Sequence, residues 1–246
     1  MSTFTPPLSG NHPATGHGGG GVVHPPASGG GDNGGGSHDH ERRIQQARWG
    51  LIFALAPITA LFLGIIVVYI FRHGTFTLDA HTGTYVRHWI EVKLPVRLLL
   101  LNTALLLLGS LAMELARRQI FRRVALEPLK EISGISLDTQ LSFPWLGVGL
   151  LFGLAFLVGQ WMAWRELQLR GFFLDTSASS TFVYLLTATH AVHLGAGILA
   201  LLYAQFTSFA NKPLAFRRIV VDITAWYWHY MALLWICIFA FLYFLR

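Results

Sequence analysis

Three histidines, His190, His193 and His229, lie within otherwise apolar stretches of this chain, and their type and spacing make them its first candidates for chemistry. His190 and His193 form a His-x-x-His step, which puts both imidazoles on one face of a helix. An imidazole in apolar surroundings either ligates a metal or haem, or hydrogen-bonds to a neighbouring helix. Ligation fits poorly here. At about 1.5 Å per residue, His229 lies roughly 9 Å, His193 roughly 18 Å and His190 roughly 22 Å from the same membrane face, so a haem bridging two helices would be clamped at unequal depths. Two ligands on one helix face cannot hold opposite sides of one haem either. A tetrahedral metal site needs third and fourth ligands, and the single cysteine, Cys237, cannot build a Cys-based site. The three histidines are expected to hydrogen-bond across helices, with no cofactor or metal held by this chain.

The elements that position them are membrane helices. The chain has 246 residues, 53% of them hydrophobic and 12% charged, about half the charged fraction of a soluble domain. A bilayer core about 30 Å thick takes about 20 apolar helical residues. The stretches 49–71, 94–116, 144–164, 181–205 and 223–245 meet that length, and the expected fold class is an all-α integral membrane bundle of five transmembrane helices. Pro57 is tolerated inside such a bundle, and Pro95 and Pro144 suit helix starts. Residues 1–41 hold 12 of the 25 glycines, 5 of the 10 prolines and 5 of the 11 histidines, a composition that predicts a disordered tail ahead of a membrane domain at 42–246. His12, His17, His24, His38 and His40 read there as solvated polar residues. The tail lacks the pattern of a cleaved signal peptide and is expected to stay attached.

Eleven of the 18 Lys and Arg fall on one side of the predicted membrane: Arg42, Arg43, Arg48, Arg117, Arg118, Arg122, Arg123, Lys130, Lys212, Arg217 and Arg218. The other side has Arg72, Arg87, Lys93, Arg97, Arg165, Arg170 and Arg246. The positive-inside rule then puts the N-terminus in the cytoplasm and the C-terminus outside. The basic run 117–123 reads as topological, with anionic headgroup binding as the alternative. Gly149 with Gly153, and Ala191 with Gly195, are small pairs that would let helices approach closely. Four of the five spans hold no Asp, Glu, Lys or Arg, and the second has only Arg97 and Glu114, near its ends. A proton relay within this chain alone is not expected.

Two strings carry a family resemblance. The fifth span opens with Asp222-Ile-Thr-Ala-Trp226-Tyr227-Trp228-His229-Tyr230 and reaches Trp235. The fourth reads Ser180-Thr181-Phe182, then Thr187-Ala188-Thr189-His190-Ala191-Val192-His193 and Gly197. In that order they resemble the last two helices of subunit III of haem-copper oxidases such as cytochrome c oxidase. Gln160 and Leu101-Asn102-Thr103 are weaker echoes. The resemblance covers roughly residues 49–246 and is to the five-helix version of the family, which begins inside and finishes outside.

The resemblance implies a non-redox subunit of a respiratory terminal oxidase in the cell's inner (plasma) membrane, with oxygen reduction coupled to proton translocation in the aerobic electron transport chain. Its implied partners are the catalytic subunit I and copper-binding subunit II, which would hold the haem and copper, together with membrane phospholipids. It implies support of assembly and turnover, and it makes His193, Trp226, Trp228 and His229 candidates to line a lipid cleft, with His190 among the interhelical polar residues. The chain departs from the pattern where Ala104, Ala163 and Ala232 stand at positions usually carboxylic, which points away from proton handling. Quinol oxidases and nitric oxide reductases carry similar subunits, and a stand-alone membrane transporter is the reading from another class.

Overall fold

The computed structural model describes residues 35–74, 77–78, 85–86, 94–126, 144–174, 176–210 and 212–244. The disorder expected of residues 1–34, and the side of the membrane expected for Arg87, Lys93, Lys130 and Arg246, concern positions outside the described residues. The order is α1 (Gly35–His73), β1 (Thr77–Leu78), β2 (Tyr85–Val86), α2 (Val96–Leu126), α3 (Trp145–Leu169), α4 (Ala178–Phe209) and α5 (Leu214–Phe244). All five helices are long and apolar enough to cross a membrane. The two short strands pair antiparallel between α1 and α2.

The helices outrun the apolar stretches that predict them. Hydropathy stops where charge begins, whereas helix formation continues through Glu, Gln and Arg, which favour it. Thus α1 runs through Glu41, Arg42, Arg43, Gln45 and Gln46 ahead of its apolar stretch, and α2 carries Arg117, Arg118, Arg122 and Arg123 on its last turns; α1 begins at Gly35, inside the stretch expected to be disordered. Pro57 lies inside α1, and Pro144 is the N-cap of α3. Ser177 caps α4 in a reciprocal box with Ser180: each hydroxyl accepts from the other's backbone N–H at 3.2 Å.

Helices α2 to α5 close a ring in which α2 packs on α3 and α5, and α4 on α3 and α5. Its interior is filled by Trp228, Trp235, Phe156, Leu106, Met113, Leu194, Leu201, Met231 and Ile238, all essentially without exposed surface. Lipid tails are as apolar as these side chains, so close packing rather than escape from water holds the ring together. Gly153 shows how tight it is, since a Cβ there would lie 2.6 Å from the Trp228 ring. At Gly159 it would meet the Asn102 amide oxygen at 2.1 Å. Gly149 faces Met113, but a Cβ at Gly195 would meet nothing within 4 Å among the described residues, so of the two predicted small pairs only the one on α3 lies at a helix contact there.

Helix α1 stands outside this ring, against α4 and α5. Only 6% of its most apolar stretch is buried within the chain, against 28–39% in the other four helices. Its fixed points are few. Phe62 is buried against the His190 and His193 rings, with centroids at 6.5 and 5.7 Å. Tyr69 packs edge-on to Phe182 and Phe241, and Thr59 shares a 2.7 Å hydrogen bond with Tyr230.

Overpacking a filled core costs about 1–3 kcal/mol. Gly153→Ala is therefore expected to lower the unfolding temperature of the detergent-solubilised chain measurably, while Gly195→Ala leaves it unchanged. Equal melting curves for the two variants would contradict this packing.

Candidate polar site at the Arg-rich end

The start of α1, the end of α2 and the start of α5 meet in a charged cluster centred on Asp222, whose side chain has no exposed surface. Arg48 of α1 donates to it through Nε to Oδ2 (2.8 Å) and Nη2 to Oδ1 (3.1 Å), a two-point clamp. Arg117 of α2 adds Nη1 to Oδ1 at 3.3 Å. Arg117 also donates to Glu114 through Nε and Nη2 at 2.9 and 3.2 Å, and Arg118 donates to the same carboxylate at 2.8 Å. His229 stands beside them. Its Nδ1 hydrogen-bonds Ser110 of α2, and its Nε2 lies 3.7 Å from Glu114. The Arg48 guanidinium also lies 5.6 Å from the centre of the Trp226 ring.

A carboxylate removed from water is tolerated when paired and hydrogen-bonded, because its desolvation penalty is then offset by short, directional charge contacts. Here the two arginines come from different helices, so the carboxylate's demand for partners fixes α1 and α2 on α5. Arg48 and Arg117, which the sequence reads as topological, with headgroup binding as the alternative for Arg117, pair here with a buried acid. Part of this was legible: Glu114 with Arg117 and Arg118 has the i,i+3 and i,i+4 spacing of helical ion pairs. The long-range contacts of Asp222 had no sequence signal.

The other predicted residues spread through the bundle. His190 is fully buried among Phe62, Phe156 and Trp235, and among the described residues neither of its nitrogens has a hydrogen-bond partner. His193 turns back on its own helix, its Nδ1 lying 2.7 Å from the Thr189 carbonyl, while its own carbonyl accepts from the Tyr227 hydroxyl at 2.8 Å. Trp228 is a core residue with no exposed surface, and Trp226 is about half exposed. The structure thus groups Trp226 and His229 at the charged end, and separates His190, His193 and Trp228 from them. Of these three histidines, only His229 bonds a side chain on another helix. The weaker echoes meet deep in the ring, where the Asn102 amide donates to the Gln160 amide oxygen at 3.3 Å. Ala163 and Ala232 are buried, whereas Ala104 faces outward. Among the described residues, no three His, Cys, Asp or Glu side chains gather closely enough to hold a metal ion.

No protein-family profile matches the chain. It is similar to a probable cytochrome c oxidase subunit 3 of Mycobacterium tuberculosis, 28% identical over 102 residues, which are 42% of this chain and 50% of that protein. It is also similar to cytochrome c oxidase subunit 3 of Synechocystis, 24% identical over 212 residues, covering 85% of this chain and 80% of the relative. A third relative is the cytochrome bo(3) ubiquinol oxidase subunit 3 of Buchnera aphidicola, 29% identical over 107 residues, 42% of this chain and 51% of that one. The mycobacterial match spans about half the length of that relative. The molecule is a five-helix, multi-pass membrane protein whose most distinctive residues serve helix contacts. Its curated homologues are subunit III proteins of haem-copper oxidases, the family that its motifs resemble.

Removing one partner of a buried ion pair costs about 3–5 kcal/mol, and an exposed pair is worth about 0–1 kcal/mol. Asp222→Ala should therefore destabilise the chain far more than Glu166→Ala, which breaks only the exposed Glu166–Arg170 pair on α3. Unfolding in mixed micelles with increasing denaturing detergent measures both, and equal losses would refute the clamp.

Proposed function

We propose that this chain is the non-redox subunit III of a respiratory haem-copper terminal oxidase. In this reading it packs against the catalytic subunit I beside the copper-binding subunit II and supports assembly, lipid retention and turnover. Haem and copper reside in those partners. The observation that carries the proposal is the use made of the motif residues. Asp222 is the ion-pair centre of three helices, Trp228 fills the ring interior, and His229 ties α5 to Ser110 of α2. A string so specific, spent on packing and pairing, suits a scaffold.

The outward faces suit it as well. Helix α3 presents Leu151, Leu154, Val158, Trp161 and Met162 to the outside, an apolar band that a membrane neighbour or lipid would cover. Lipid contact falls to Trp226 and the partly exposed His229, with His190, His193 and Trp228 supporting the helices behind them. Absence of a carboxylate at Ala104, Ala163 and Ala232 supports a role in packing and lipid binding more than in proton delivery.

The charged cluster and the other arginines at that end support its reading as the cytoplasmic side, by the excess of Lys and Arg that cytoplasmic ends carry. The N-terminus is then inside and the C-terminus outside the inner (plasma) membrane. The complex takes electrons from cytochrome c. A quinol donor is the second reading, and the bo(3) ubiquinol oxidase relative favours it.

Affinity purification of the tagged full chain in mild detergent is expected to bring down a haem-bearing partner and a copper-binding partner. The bound spectrum should persist when His190 or His193 is replaced by alanine and the complex still assembles. An isolated, monodisperse chain with no haem-bearing partner would overturn the assignment. Orientation has its own check. With Cys237→Ser as background, Arg246→Cys should react with a membrane-impermeant thiol reagent on intact cells and Arg43→Cys should not, whereas the opposite pattern would invert the topology.

A further inference from the structure

A second feature of the Arg-rich end lies apart from the Asp222 cluster. The last turns of α2 and α4 and the first turns of α3 and α5 enclose a partly open cavity of about 180 Å³. Arg123 and Arg217 line it, together with Gln119, Gln205, Ser208 and the Trp145 ring. Among the described residues no carboxylate lines it and neither arginine forms a salt bridge, unlike Arg48, Arg117 and Arg118 nearby. Among the described residues the Arg217 guanidinium makes one hydrogen bond, Nη2 donating to the Ser208 hydroxyl at 2.9 Å, and its buried Nε has no partner.

Two like charges at one cavity repel each other, and a buried guanidinium N–H without an acceptor costs desolvation energy with no return. Both deficits are met by an anion with several acceptor oxygens. Arginine forks match phosphate in particular, offering parallel N–H donors to its oxygens. A basic pocket between helices at a membrane face is also where anionic headgroups are recognised. We propose that this cavity is a phosphate-binding site formed by Arg123 and Arg217, with Gln205 and Ser208 as neutral polar partners. The phosphate belongs either to an anionic phospholipid headgroup or to free phosphate from the adjoining aqueous phase.

The test uses the full chain as it purifies from its membrane, stripped of lipid by detergent exchange. It is offered dioleoyl phosphatidylglycerol, dioleoyl phosphatidylcholine or inorganic phosphate, with bound lipid read by native mass spectrometry and bound phosphate by thermal shift. Arg217→Gln should weaken binding about ten-fold, the loss of a charge-assisted hydrogen bond. Gln205→Glu should abolish binding without unfolding the chain, since it supplies Arg217 with an internal carboxylate. Arg42→Gln with Arg43→Gln, at exposed positions at the same end, should change nothing. Phosphatidylglycerol retained with this pattern identifies a lipid headgroup, and inorganic phosphate binding with the same pattern identifies free phosphate. Binding of neither, equal binding of phosphatidylcholine, or undiminished binding in Gln205→Glu would overturn the proposal.

Discussion

The position of α1 depends on one carboxylate. Asp222 has no contact with water, and the two groups that make this tolerable are guanidiniums from helices at opposite ends of the first half of the chain. Apolar contacts cannot do the same work for α1, because its surface is equally content against lipid and little of it is buried within the protein. Dispersion at Phe62 and Tyr69 and the Thr59–Tyr230 hydrogen bond add local fixation. The ion pair supplies specificity, since an unpaired buried charge is far more costly than a lost apolar contact.

From that constraint the remaining polar residues fall into order. Glu114 shares Arg117 with Asp222, so the acidic and basic side chains of α2 and α5 form a continuous chain of contacts ending at His229 and Ser110. Deeper in the membrane the polar contacts are neutral: Asn102 with Gln160, the Trp235 indole donating to Thr103, and the Trp164 indole donating to Thr187. The Asp222 cluster lies towards the helix ends, where arginine stems can reach the interface, and neutral hydrogen bonds serve the interior, as the cost of burying charge requires.

Much of this fold could be read from the residues. Apolar length alone located all five spans, because a bilayer sets helix length almost independently of detail. The helices run past those spans, because hydropathy is blind to helical turns built from Arg, Gln and Glu, as at 41–46 in α1 and 117–123 in α2. The candidate site was half legible. The motif named Asp222, Trp226, Trp228 and His229, but sequence spacing could not tell that Trp228 faces inward and Trp226 outward, which depends on how α5 is rotated within the ring. Arg48 was the hardest to foresee. It lies 174 residues from its partner, and nothing in a run of basic residues distinguishes a topological arginine from one aimed at a buried acid.

The distance between α1 and α2 tests the central claim most directly. Spin labels at Phe53→Cys on α1 and Leu108→Cys on α2, both outward-facing positions, in a Cys237→Ser background, report that distance by pulsed electron resonance in lipid nanodiscs. The account predicts one narrow distribution that broadens when Asp222→Asn removes the charge holding Arg48 and Arg117 together. An equally narrow distribution after that substitution would contradict it, and would mean that apolar contacts alone seat α1 on the ring.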